Sequence, residues 1–145
     1  MPSEMSTVHL LREVAVQFGL RSAEFAAANG MHPTDVRALI CLLDAERAGE
    51  PATAGRLGAR LGLNSAGTTG VVDRLVRLGY VRRERDPHDR RRVRIVVDER
   101  AVALGEAAFG PLIGRIVDLL RTFTPAERDA IHRFLLGTVA AADPD

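Results

Sequence analysis

Thr53-Ala-Gly-Arg-Leu-Gly-Ala-Arg-Leu-Gly62, then Leu63-Asn-Ser-Ala-Gly-Thr-Thr-Gly-Val-Val-Asp-Arg-Leu75, then Leu78-Gly-Tyr-Val-Arg-Arg-Glu-Arg-Asp-Pro-His-Asp-Arg-Arg91, running on into Arg92-Val-Arg-Ile-Val-Val97, read as two short helices followed by two strands. Thr53 is placed to cap the first helix, since a Thr oxygen accepts an orphan N–H of the first turn. Leu57 and Leu61 are its expected buried pair. Gly62-Leu63-Asn64 makes the turn, and Asn64 caps a second helix to about Leu78, with Val71, Val72, Leu75 and Leu78 facing inward. Gly79 ends it. Tyr80 to Arg85 and Arg92 to Val97 are the expected strands. In the second, Val93, Ile95 and Val97 alternate with Arg94 and Val96. The connection contains Asp-Pro and is dense in charge, so it must project into water.

A helix-turn-helix meets duplex DNA when its second helix offers small polar residues to the major groove. The outward positions expected there are Ser65, Ala66, Thr68, Thr69 and Arg77. Ser and Thr donate to phosphates or bases, and a Thr methyl meets a thymine methyl. Gly67 and Gly70 weaken a helix by roughly 1 kcal/mol each relative to Ala, which close approach to DNA would explain. Arg74 is expected to reach a phosphate. At the hairpin tip, Arg90, Arg91 and Arg92 suit a narrow minor groove, where negative potential is enhanced. Asp86 and Asp89 would repel phosphate, so at least one is expected to turn back onto the loop backbone.

Charge distribution agrees. The net charge is only +1, and every basic residue is Arg. Nine arginines against three carboxylates between Arg74 and Arg94 give that window +6 and leave −5 for the remainder of a chain of net charge +1. A basic patch on an acidic body points one face at a polyanion.

The flanks read as helices. Thr7 to Ala28 carries Val8, Leu11, Ala15, Phe18, Ser22 and Phe25 at steps of three and four, with Asn29-Gly30 as its stop. Pro33 opens a helix to about Ala48, with Asp35 suiting the dipole and Val36, Leu39, Ile40 and Leu43 apolar. Asp98 is expected to cap a fifth helix through Ile116 and Leu120, with a kink near Gly110-Pro111. Thr124-Pro-Ala-Glu127 is a capping-box start for a sixth, whose face is Ile131, Phe134, Leu135 and Val139. Residues 140–145 are expected to fray.

A chain of 145 residues suits one domain with extensions. Aromatic residues make up only 4%, so aliphatic side chains must fill the core. No apolar run approaches the ~20 residues of a membrane helix, and no secretory signal is legible. The single Cys41 excludes an internal disulfide and fits a reducing cytoplasm; in an apolar setting it reads as an inert thiol rather than a sensor. His9, His32, His88 and His132 lack ligand spacing. No phosphate loop, nucleophile elbow or metal motif is present, so neither an enzyme, a metal nor a cofactor is expected.

The segments 63–75 and 78–91, with Asp89-Arg-Arg-Arg-Val-Arg94 matching a wing of the form Asp-x-Arg-x-x-Arg/Lys, resemble the MarR family of winged-helix transcriptional regulators. The resemblance covers almost the whole chain. It implies a mainly α fold with a small β-hairpin wing, in which residues 33–97 form the winged helix-turn-helix and 7–29 and 98–142 are dimerisation helices of one chain, 1–145. It implies a homodimer on double-stranded DNA at a palindromic operator, acting as a repressor and released by a small-molecule effector. Carried over, Ser65, Thr68 and Thr69 face the major groove, Arg74 a phosphate and Arg91 the minor groove, while Asp89 braces the wing. Gly70 departs from the larger or charged residue frequent there, and Asp98 from the usual Thr. The competing reading is a ligand-binding or protein-interaction module on the same fold, without operator recognition.

Overall fold

The computed structural model describes residues 1–143. In chain order the elements are α1 (Glu4–Ala28), α2 (Pro33–Ala48), α3 (Ala54–Leu61), α4 (Ser65–Arg77), β1 (Val81–Arg85), β2 (Val93–Val97), α5 (Glu99–Arg121) and α6 (Pro125–Ala142). The fold is mainly α with one antiparallel hairpin, as expected.

Element ends follow from caps. Thr53 Oγ1 accepts from Arg56 N at 3.3 Å and Asn64 Oδ1 from Gly67 N at 2.8 Å, which fixes the starts of α3 and α4. Thr124 Oγ1 and Glu127 N, with Glu127 Oε1 and Thr124 N, close a capping box at α6, each bond 3.2 Å. Helix α1 starts earlier than the apolar stripe predicts, because Ser3 Oγ accepts from Ser6 N at 3.2 Å and caps a turn that has no stripe residue. Each strand starts one residue later than expected. Tyr80 N donates instead to Leu75 O, and Arg92 N to Asp89 O.

Residues Met1–Leu104 form one compact unit. Helix α2 is its hub, touching α1, α3, α4 and β2. Val36, Leu39 and Leu42 of α2 meet Leu57 of α3, Val71, Val72 and Leu75 of α4, and Val81, Ile95 and Val97 of the hairpin in one buried cluster. The α3–α4 turn is tight enough that a Cβ on Gly58 would lie 2.6 Å from Thr68 Oγ1. Leu61 is only half-buried, and Leu78 is 38% exposed. Leu78 follows the last helical residue, so the inward stripe of α4 stops at Leu75.

The hairpin pairs Val81 with Val97, Arg83 with Ile95 and Arg85 with Val93. It is docked through its second strand: Ile95 N donates to Ala52 O at 2.8 Å, just before α3. Asp98 Oδ1 accepts from Arg100 N at 2.9 Å, the expected cap of α5.

From Gly105 onward lies a second unit, with α5 continuing through Pro111. Helix α6 contains no buried residue. Its expected face is open: Phe134 and Leu135 are each 46% exposed and Val139 70%. Residues 140–142 are helical rather than frayed, and the last part of that expectation, 144–145, lies outside the described residues.

Candidate nucleic-acid interface

Helix α4 presents Ser65, Ala66, Thr69 and Arg77 to solvent, as the sequence predicts. Thr68 is a correction. It is 3% exposed, its hydroxyl donates to Asn64 O at 2.9 Å, and it fills the space that Gly58 leaves open. The spacing that turns Ser65 and Thr69 outward turns Thr68 toward α3. Gly67 also has an internal reason to be small, since a Cβ there would lie 3.3 Å from the capping Asn64 Oδ1.

Arg74 is the second correction. Its guanidinium is committed to Asp35 on α2: Nη2 donates to Oδ1 at 2.9 Å, and Nε lies 3.2 and 3.3 Å from the two carboxylate oxygens. Asp35 is 0% exposed, and its Oδ2 also accepts from His32 N at 2.9 Å. Sequence spacing assigns Asp35 only a dipole role, because its partner comes from α4, 39 residues further along the chain.

Arginines of the wing divide into two groups. On the sheet, Arg83 Nη2 pairs with Asp73 Oδ1 of α4 at 2.6 Å, and Arg82 Nε with Glu84 Oε1 at 2.6 Å. Arg94, expected to touch DNA, stands across the ladder from Glu84, with Nη2 3.9 Å from Oε2. Its Nε is buried without a hydrogen bond, its charge held near the Asp86 and Glu84 carboxylates. Arg94 is thus a half-buried residue of the sheet beside Glu84 and not a free cation of the tip, the third correction. Arg85, Arg90, Arg91 and Arg92, by contrast, are exposed and make no ion pair among the described residues, as does Arg77 on α4.

The loop carrying those free cations is built by its two aspartates. Asp86 Oδ1 accepts from His88 N at 2.8 Å and Asp89 N at 3.3 Å, and Asp89 Oδ1 from Arg91 N at 3.0 Å. Both carboxylates thus turn back onto backbone, as Asp does in turns. The His88 N–H, then the Asp89 N–H and Arg94, hold the Asp86 carboxyl below its usual range against its partial burial. A braced loop displays its arginines with less ordering left for binding.

A shallow cleft of about 250 Å³ lies between α2 and α3, floored by Leu42, Ala45 and Leu57 and edged by Arg56 and Arg60. Cys41 lines it, and burial pushes its thiol up, only partly offset by Arg60 and Arg37, which works against a reactive thiolate. No group of His, Cys, Asp and Glu among the described residues is arranged to hold a metal ion. No helix there is long and apolar enough to cross a membrane.

The model of the MarR family matches residues 29–92, from the turn before α2 to the wing tip. The HTH-type transcriptional regulator YcgE of Bacillus subtilis (strain 168) is 38% identical over 132 residues, 91% of this chain and 83% of that protein. The chain belongs to the MarR family. As a MarR-family transcriptional regulator it is not an enzyme. A MarR family protein from Bacillus stearothermophilus, 26% identical, superposes with a TM-score of 0.65 over 97% of this chain and 98% of its own. MepR of S. aureus, in a structure of its DNA complex, matches with a TM-score of 0.60 over 94% of this chain and 99% of its own; at 15% identity that likeness is one of fold. The MarR wing motif of this chain, Asp89 to Arg94, spans both groups of arginines: Arg91 at the free tip and Arg94 on the braced sheet.

Proposed function

We propose that this MarR-family regulator binds a palindromic operator as a homodimer and represses transcription. Ser65, Ala66 and Thr69 meet base edges or phosphates in the major groove, Arg77 a phosphate, and Arg90, Arg91 and Arg92 the adjacent minor groove. Residues 33–97 are the DNA-binding region, and 7–29 and 98–142 the dimerisation helices. Two recognition helices related by a two-fold axis then enter major grooves roughly 10 bp apart.

The observation that carries this reading is the row of exposed, unpaired arginines on a loop whose own aspartates face its backbone. Cations that merely decorate a surface have no need of such a brace. The dimer is supported by open apolar residues on the outer helices, among them Val8, Leu10 and Phe18 on α1 and Phe134, Leu135 and Val139 on α6. Release by a small molecule is part of the proposal and follows family precedent; such a ligand acts only through different affinities for two spacings of the recognition helices.

Arg91→Ala tests the wing. Operator affinity should fall by roughly 1–3 kcal/mol, and the slope of log K against log salt should flatten by about 1. An unchanged affinity and slope would remove the wing from the interface and favour a ligand-binding or protein-interaction module.

A further inference from the structure

We propose that Asp35 and Arg74 form one positioning unit that sets the angle of α4, so that a buried acidic residue is required for operator recognition. The inference rests on the reading that α4 meets DNA. Arg74 and Asp35 join the last turn of α4 to the first turn of α2, and no other ion pair among the described residues links those two helices. The contact is a side-on fork: Nε and Nη2 address the carboxylate together. A fork of two donors fixes direction as well as distance, which a single contact does not. Asp35 is held in turn by His32 N, so its carboxylate cannot swing to follow a displaced arginine. The third nitrogen, Nη1, lies back along the helix, 3.8 Å from where a Cβ on Gly70 would stand.

The consequence opposes simple electrostatics. Asp35→Asn makes the protein more basic, yet it frees Arg74 and loosens α4. Base contacts at Ser65, Ala66 and Thr69 depend on that angle; the generic attraction of the wing arginines for phosphate does not. Loss of the unit should therefore lower specific binding and leave non-specific binding as it was. A register error at one base pair already corresponds to roughly tenfold in operator affinity.

The test uses the full chain and two probes: a duplex enriched by the wild-type protein from a random-sequence pool, and an unrelated duplex of equal length. Binding is measured by fluorescence anisotropy over a salt series for wild type, Asp35→Asn, Arg74→Gln and the double variant, well below each melting temperature. Each variant should lose about tenfold or more on the selected duplex, with non-specific affinity and salt slope unchanged. The double variant should lose no more than the worse single, because the two residues act as one. An Arg74→Gln that weakens both duplexes alike and flattens the slope by about 0.9, with Asp35→Asn neutral or tighter, would make Arg74 a phosphate contact and overturn the proposal. If a single variant fails to fold, the double variant, which leaves no unpaired buried charge, decides by the same specific-to-non-specific ratio. A wild-type protein that enriches no sequence would instead remove the operator reading itself, and this inference with it.

Discussion

Helices α4 and α6 carry the same kind of sequence pattern and meet opposite fates. The stripe of α4, Val71, Val72 and Leu75, is at most 2% exposed, because α2, α3 and the hairpin close over it. The stripe of α6, Ile131, Phe134, Leu135 and Val139, has no buried member. An apolar stripe at helical spacing is thus a demand for a neighbour, and the chain itself meets that demand only in the first helix. For α4 the neighbour is intramolecular, so its stability belongs to the folded unit. For α6 the proposed neighbour is a second copy of the chain, so its stability should depend on concentration.

The largest effect should come from α4. Leu75→Ala empties a fully buried site and should cost about 2–5 kcal/mol in chemical denaturation, whatever the protein concentration. A loss that varied with concentration would erase the contrast between the two helices. Leu135→Asp should do the reverse. On an exposed stripe it should change the stability of an isolated chain by no more than about 0.5 kcal/mol. In a dimer it places a charge in an apolar interface and should weaken association by about 2 kcal/mol or more, halving the mass seen by sedimentation at low micromolar concentration. A variant that kept the wild-type mass would take α6 out of the interface.

The smallest effect should be at the wing loop, on the free cations rather than on either helix. The Asp86 carboxyl sits below its ordinary range because it accepts the His88 N–H. Its folded-state value is depressed, so its contribution is complete above the unfolded carboxylate range and is lost as pH falls through the folded value. The amide resonances of His88 and Asp89 should shift together across that acidic window, and Asp86→Asn should abolish the transition. Amides indifferent to acidification would mean that Asp86 does not hold the loop.

Much of the fold was legible because its boundaries are chemical. Thr53, Asn64 and Thr124 cap the helices they were expected to cap, and Gly49 and Gly62 end α2 and α3 in the left-handed conformation. Local signals of this kind survive in sequence. The candidate site was legible where it is local as well, as in the aspartates that turn back within the wing loop. It failed where a partner comes from elsewhere in the chain. Thr68 looked outward by spacing, and only the arrival of α3, with Gly58 at the contact, buries it. Arg74 looked like a free cation until α2 brought Asp35 beside it. Arg94 belongs to the wing motif, yet the register sets it opposite Glu84 on the sheet and away from the free tip. For a basic residue, the sequence reports charge, whereas availability depends on what the fold places within reach.

Specific operator binding is tested most directly by footprinting of the purified protein on the DNA upstream of its own coding sequence, with excess unrelated duplex as competitor. A protected palindrome that survives competition, with half-sites roughly 10 bp apart, is the predicted result. Protection that unrelated DNA abolishes equally would contradict it, leaving the wing arginines as a generic phosphate grip.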